Sequence, residues 1–192
     1  MNHEPITHLL FTVNCDMNNL LINGQSDDTA LSKARQVTQF LKLVVFSMGG
    51  LNLALRIESV YKVVNHTPVY SSGLNHVGVS HMGDREVTVV DLYWRFFKGS
   101  QTHELSTTGY LVIVKNKTGE LYGIPVAKTP VLIEVPLSMI RVLPESYRRA
   151  DTLEVASHVA VIPQEGAPLT VFLLDVDLLL PLFQQITAAH LH

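Results

Sequence analysis

The residues here that could do chemistry are nine histidines, one cysteine, scattered serines and two aspartates that each close an apolar run. His76 and His81 stand five apart around a turn signal, and His190 and His192 lie together near the end. A zinc site needs tightly spaced Cys/His pairs, or two histidines one helical turn apart, and neither pattern occurs. These histidines are read as turn or surface residues, and no metal ligand is expected. Cys15 is the only thiol, so no disulfide can form within the chain. No ordered base accompanies it, which argues against a nucleophile. The serines lie in no Gly-x-Ser-x-Gly elbow, and no phosphate-cradling glycine loop or dinucleotide fingerprint appears. Asp91 and Asp175 could form a carboxylate pair. Their repeated position favours a structural role instead, each accepting backbone N–H bonds where a strand enters a short helix. No catalytic or cofactor-binding residue and no cofactor are expected.

Composition narrows the partners. The 192 residues are 47% apolar and 16% charged, with net charge −3, and no basic cluster exceeds Arg148-Arg149. A nucleic-acid or anionic-membrane footprint needs a basic patch that this chain lacks. High apolar content with few charges instead suggests a surface partly covered by another protein. The N-terminus has no basic stretch ahead of an apolar core and does not read as a signal peptide. The longest apolar run, Val171 to Phe183, contains Asp175, Asp177 and Pro181 and is too short to span a bilayer. A cytoplasmic location is expected.

The elements that must position these residues are announced by a repeat. Residues 53–64 (LALRIESVYKVV) lie without gaps over residues 122–133 (YGIPVAKTPVLI), an offset of 122 − 53 = 69. Before each copy stands an apolar run and a glycine turn: Leu43-Val44-Val45-Phe46 with Gly49-Gly50, and Leu111-Val112-Ile113-Val114 with Gly119. After each comes a run ending in Asp91 or Asp175. From Phe40 onward, short runs rich in Val, Leu and Ile are separated by turn signals, which predicts an all-β barrel or sandwich. Residues 1–39 read as an extension, partly disordered, with a short helix at about 28–38 capped by Ser26-Asp27-Asp28. The polar stretch from Lys98 to Thr108 reads as a link between modules at about 43–97 and 109–180. A short helical segment is expected after Asp177, and 184–192 as a tail. In the aromatic run after Asp91, Trp94 or Phe97 could anchor a partner.

Over residues 40–183 the chain resembles the CheW-like domain of bacterial chemotaxis adaptors. Residues 53–60 (LALRIESV) match the family's aromatic-Ala-hydrophobic-Pro-hydrophobic-x-x-Val strand. Residues 78–92 (GVSHMGDREVTVVDL) lie without gaps on its Gly-Val-x-Asn-Leu-Arg-Gly-x-hydrophobic-hydrophobic-Pro-Val-Val-Asp-Leu motif. Residues 121–126 (LYGIPV), 140–144 (IRVLP) and the closing Leu173-Leu174-Asp175 follow in order. The resemblance implies two five-stranded SH3-like barrels. It also implies a non-enzymatic adaptor that couples a CheA-type histidine kinase, through its regulatory domain, to a methyl-accepting receptor in chemotaxis, twitching motility or phototaxis.

Four positions depart from the family. Gly83-Asp84 replaces Arg-Gly, Thr88 replaces a proline, and Lys62 replaces a glutamate. The partner-binding surface implied by the resemblance comprises Lys62, Met82, Gly83, Asp84 and Arg85, with Tyr122 and Pro125 on an exposed edge of the second barrel facing the kinase. Two other readings stand beside the adaptor: an orphan β-barrel interaction module that has left receptor–kinase arrays, and a small β-barrel enzyme or nucleic-acid binder.

Overall fold

The alternating and continuous apolar runs fold as twelve strands. The computed structural model describes residues 38–65, 67–74, 77–97, 109–148, 153–179, 181 and 183. In chain order the strands are β1 (Phe40–Met48), β2 (Leu51–Arg56), β3 (Val60–Asn65), β4 (Val69–Leu74), β5 (Val77–Met82), β6 (Arg85–Val90), β7 (Tyr110–Lys115), β8 (Leu121–Val126), β9 (Val131–Pro136), β10 (Ile140–Val142), β11 (Ala156–Ile162) and β12 (Leu169–Leu174). Helix α1 (Leu92–Phe97) follows β6, and α2 (Glu145–Arg148) follows β10. Residues 176–179, 181 and 183 are helical after β12, the short helical segment that the sequence suggested. The helix expected at 28–38, the 98–108 link and the 184–192 tail lie outside the described residues.

The strands make two six-stranded sheets, ordered β10-β11-β12-β2-β1-β9 and β3-β7-β8-β6-β5-β4. In the first, the terminal strands β9 and β10 are separated in sequence only by a 3₁₀ turn, Leu137–Met139. The sheet therefore curls until its two ends meet. Counted as one bent strand, β9 and β10 bring the sheet to the five strands of an SH3-like barrel, and β3 with β4 do the same for the second sheet. The sheets do not divide the chain at 97/109 as contiguous modules would. Barrel A takes β1 and β2 from the first half and β9–β12 from the second; barrel B takes β3–β6 from the first and β7–β8 from the second. Sequence periodicity marks where strands are but carries no information on which strand pairs with which.

The repeat is reproduced in the pairing itself. In the β1–β2 hairpin Val44 opposes Leu55, Val45 opposes Ala54 and Phe46 opposes Leu53. In the β7–β8 hairpin Val112 opposes Ile124, Ile113 opposes Gly123 and Val114 opposes Tyr122. Leu43, Val44 and Val45 pair with Ile133, Leu132 and Val131, just as Leu111, Val112 and Ile113 pair with Val64, Val63 and Lys62. Two parallel contacts close the scheme: Leu53–Phe172 with Ala54–Leu173, and Tyr122–Thr88 with Gly123–Val89. Residues 53–64 map onto 122–133 at an offset of 69 and residues 43–46 onto 111–114 at 68 (111 − 43), and with that one-residue difference the pairing of one hairpin reproduces the other's.

Each exchanged hairpin is buried on both faces. One face of β1–β2 fills barrel A, where Leu43 and Ala54 pack with Val135, Ala160, Val171 and Leu173. The matching face of β7–β8 fills barrel B, where Leu111 and Ile113 pack with Val87 and Val89. The opposite faces meet between the barrels: Phe46, Leu53 and Leu55 join Val112, Val114, Tyr122 and Ile124, with Leu92, Phe96, Leu179 and Phe183. This explains why residues 43–46 and 111–114 are apolar without alternation, the pattern of a strand covered on both sides.

Candidate functional site

Barrel B carries most of the residues expected to meet partners. Strand β3 is an end strand, paired with β7 alone. Val60 opposes Val114 while Lys62 opposes the adjacent Ile113, so Tyr61 is an extra residue in a β-bulge. A bulge re-aims side chains locally. Here three successive residues stay in solvent: Tyr61 is 57% exposed, Lys62 is exposed and Val63 is 41% exposed. The next residue, Val64, turns inward onto the barrel-B core.

The β5–β6 hairpin turns through Gly83 and Asp84, with Met82 and Arg85 as the last opposed pair. Gly83 has φ +62°, a left-handed conformation that glycine adopts without strain, and no atom would crowd a side chain there. Asp84 and Arg85 project into solvent. Met82 is half-buried and packs on the cluster that also receives Val64. The strand bearing Lys62 and the Gly83–Asp84 turn therefore share one barrel core. Among the described residues none of the Lys62, Asp84 and Arg85 side chains has an ion-pair partner. Nearby, the exposed His81 imidazole lies 3.1 Å from Glu86 across the hairpin and edge-on to Tyr70.

Tyr122 is not on this surface. It is fully buried in the core between the barrels, and its hydroxyl donates to the Val176 carbonyl at the start of the C-terminal helical segment. Burial and the nearby carboxylates of Asp177 and Asp175 push its phenol well above the usual tyrosine range. Nor is β8 an edge: it runs between β7 and β6. The expected kinase-facing edge at 122–126 is corrected accordingly. Pro125 is half-buried opposite Leu111, two residues past Gly123, where the parallel pairing to β6 ends. A residue without an N–H is tolerated there because no second ladder asks for one.

Asp91 and Asp175 cap helices. The Asp91 carboxylate accepts the Trp94 N–H at 3.0 Å, and the Asp175 carboxylate accepts the Asp177 N–H at 3.0 Å. Each stands three residues past the parallel contact with the other half's hairpin (91 − 88 = 175 − 172 = 3). Phe97 lies against Gly49 in the β1–β2 turn and against Tyr93, which makes it a packing residue. Trp94 is half-buried.

Two ion pairs join residues that sequence reasoning did not connect. Arg95 of α1 pairs with Glu154, both largely shielded from solvent. Lys117, in the β7–β8 turn, places its ammonium 2.8 Å from Asp177 and donates its backbone N–H to the same carboxylate at 2.9 Å. Those two donors hold Asp177 below the ordinary carboxylate range, and the same contact raises Lys117. Partners 59 and 60 residues apart leave no local pattern to read. Among the described residues no group of three or more His, Cys, Asp or Glu side chains could hold a metal ion.

The match to known proteins rests on this scaffold. The model of the CheW-like domain matches residues 42–183, about three quarters of the 192-residue chain. The chain belongs to the CheW-like domain family. A solved structure, the scaffolding protein TtCheW from Thermoanaerobacter tengcongensis, is similar in fold with a TM-score of 0.59 and 18% identity, over 74% of this chain and 89% of that one. A search of curated proteins for sequence relatives found no match. Among the described residues no helix is long and apolar enough to cross a membrane.

Proposed function

We propose that this CheW-like protein is a non-enzymatic, cytoplasmic adaptor coupling a CheA-type histidine kinase to a methyl-accepting receptor, with barrel B as a partner-binding surface. The observation that carries the reading is the exposed strip Tyr61-Lys62-Val63 on the same barrel as the solvent-facing Gly83-Asp84-Arg85 turn. The exposed Tyr61 ring there is the kind of side chain that anchors protein interfaces, with an aliphatic group and a cation close by in the strand. TtCheW is a scaffolding protein, which supports the same role for a chain of the same fold.

The residues at this surface also point to the kind of partner. Gly83 offers no forked donor where the family pattern has arginine, and Lys62 puts a cation where it has glutamate. A receptor tip matched to the usual pattern meets a missing contact and a reversed charge, each costing on the order of 1–3 kcal/mol if desolvated. The chain therefore prefers a receptor whose tip carries acidic groups opposite Lys62. Calorimetric titration with a CheA-type regulatory domain and with receptor tips tests this. Lys62→Glu and Gly83→Arg are expected to strengthen binding to an ordinary tip, and Arg85→Ala to weaken binding to the native one. No binding to either partner class would favour an orphan module that has left receptor–kinase arrays.

A further inference from the structure

We propose that a second copy of this chain can supply the missing half of each barrel, giving a dimer in which residues 38–97 of one copy fold with residues 109–183 of the other. The sheet orders carry the inference. The β7–β8 hairpin is inserted between β3 and β6, and the β1–β2 hairpin between β9 and β12. Each half therefore holds a four-strand sheet with a two-strand gap in its middle, and only the other half's first hairpin fills it.

The fit is specific to that hairpin and indifferent to which copy provides it. Its two faces bury Leu43, Phe46, Leu53 and Leu55 in one half, and Leu111, Val114, Tyr122 and Ile124 in the other. A half without its complement leaves these side chains in water and leaves each flanking strand unpaired along the gap, so every half must find one. All of the pairing between halves, β1–β9, β3–β7, β2–β12 and β6–β8, is non-covalent. The only chain connection between them is the 11 residues from 98 to 108 (108 − 98 + 1). A linker this short gives an effective concentration on the order of 1 mM for the chain's own partner half. Monomers dominate when folding occurs far below that, and exchange competes as the chain concentration approaches it. Once formed, the dimer persists, because leaving it means pulling a hairpin from the centre of a sheet. An exchanged dimer presents each barrel surface twice.

The test uses the cross-half pair Lys42 and Glu134, which oppose each other in the β1–β9 ladder and are exposed, with Nζ and Oε1 3.3 Å apart. Opposed residues in an antiparallel pair come close enough for a disulfide. Two full-length proteins are made in a Cys15→Ser background, one with Lys42→Cys and one with Glu134→Cys, and mixed unfolded. They are refolded together at about 5 and about 500 µM, concentrations spanning two decades below that effective molarity. After oxidation, non-reducing electrophoresis and light scattering read the products. Exchange predicts a disulfide-linked heterodimer that survives dilution, with a dimer-to-monomer ratio rising on the order of a hundredfold between the two concentrations. Copies refolded separately and then mixed should give no such link. Monomer alone at both concentrations overturns the proposal. So does a dimer by light scattering that lacks the cross-link, since that dimer associates through another surface. A single protein carrying Lys42→Cys and Glu134→Cys, refolded dilute, must form the intrachain disulfide, which shows that the pair is competent to report.

Discussion

Gly49 and Gly50 form the β1–β2 turn and differ in one respect that stability can measure. Both have positive φ, +54° and +84°, as a two-residue hairpin turn requires. An added Cβ at Gly50 would meet nothing within 4 Å, whereas one at Gly49 would stand under 3.0 Å from three ring carbons of Phe97. Gly50→Ala therefore carries only the left-handed strain of an L-residue, about 1–2 kcal/mol. Gly49→Ala carries the same strain and must also displace a ring held by Tyr93 and Phe96. Overpacking of that kind costs a further 1–3 kcal/mol or so, for a total of about 2–5. Urea unfolding followed through the single tryptophan, Trp94 in α1, reports both. In a Phe97→Ala background the obstacle is gone, and the two substitutions should cost the same. If Gly49→Ala and Gly50→Ala are equal in the native background, or if removing the Phe97 ring leaves their gap unchanged, the packing of α1 on the hairpin turn is wrong.

Removing the cap at Asp91 with Asp91→Ala should cost about 1 kcal/mol, because the part-buried Trp94 N–H loses the carboxylate that accepts it. A double-mutant cycle on Arg95 and Glu154 should give a coupling of about 1–2 kcal/mol, above the range of exposed pairs because both side chains are shielded. Asp177→Asn should lower the melting temperature at neutral pH, and the gap to wild type should close at both pH extremes. A carboxylate held below its ordinary 3.8 stabilises above that value and loses its contribution as pH falls through the folded pKa. Lys117, raised above 10.5, stabilises below that value and loses its contribution as pH rises through the folded pKa. A melting gap that is flat from acid to alkali would remove the pair from the account.

Much of the scaffold was legible in the residues themselves. The 69-residue offset between 53 and 122 fixed where the two hairpins correspond, because duplicated strands keep the same inward and outward positions. Gly49-Gly50 and Gly83 marked turns that need positive φ, and the positions of Asp91 and Asp175 identified caps, both being demands of the local backbone. The continuous apolar runs at 43–46 and 111–114 carried a further signal, strands covered on both faces, but it does not say what covers them. Only the tertiary structure decided that each hairpin crosses into the other half's sheet, since pairing is settled by which gap a two-faced apolar hairpin can fill. That exchange set the fate of the candidate surface. It placed β8 at the centre of a sheet and buried Tyr122, so a residue amphipathic enough for an interface became a core hydrogen-bond donor to Val176. It left β3 at the end of a sheet, where an extra residue at Tyr61 breaks the period-two pattern and keeps Tyr61, Lys62 and Val63 together in water.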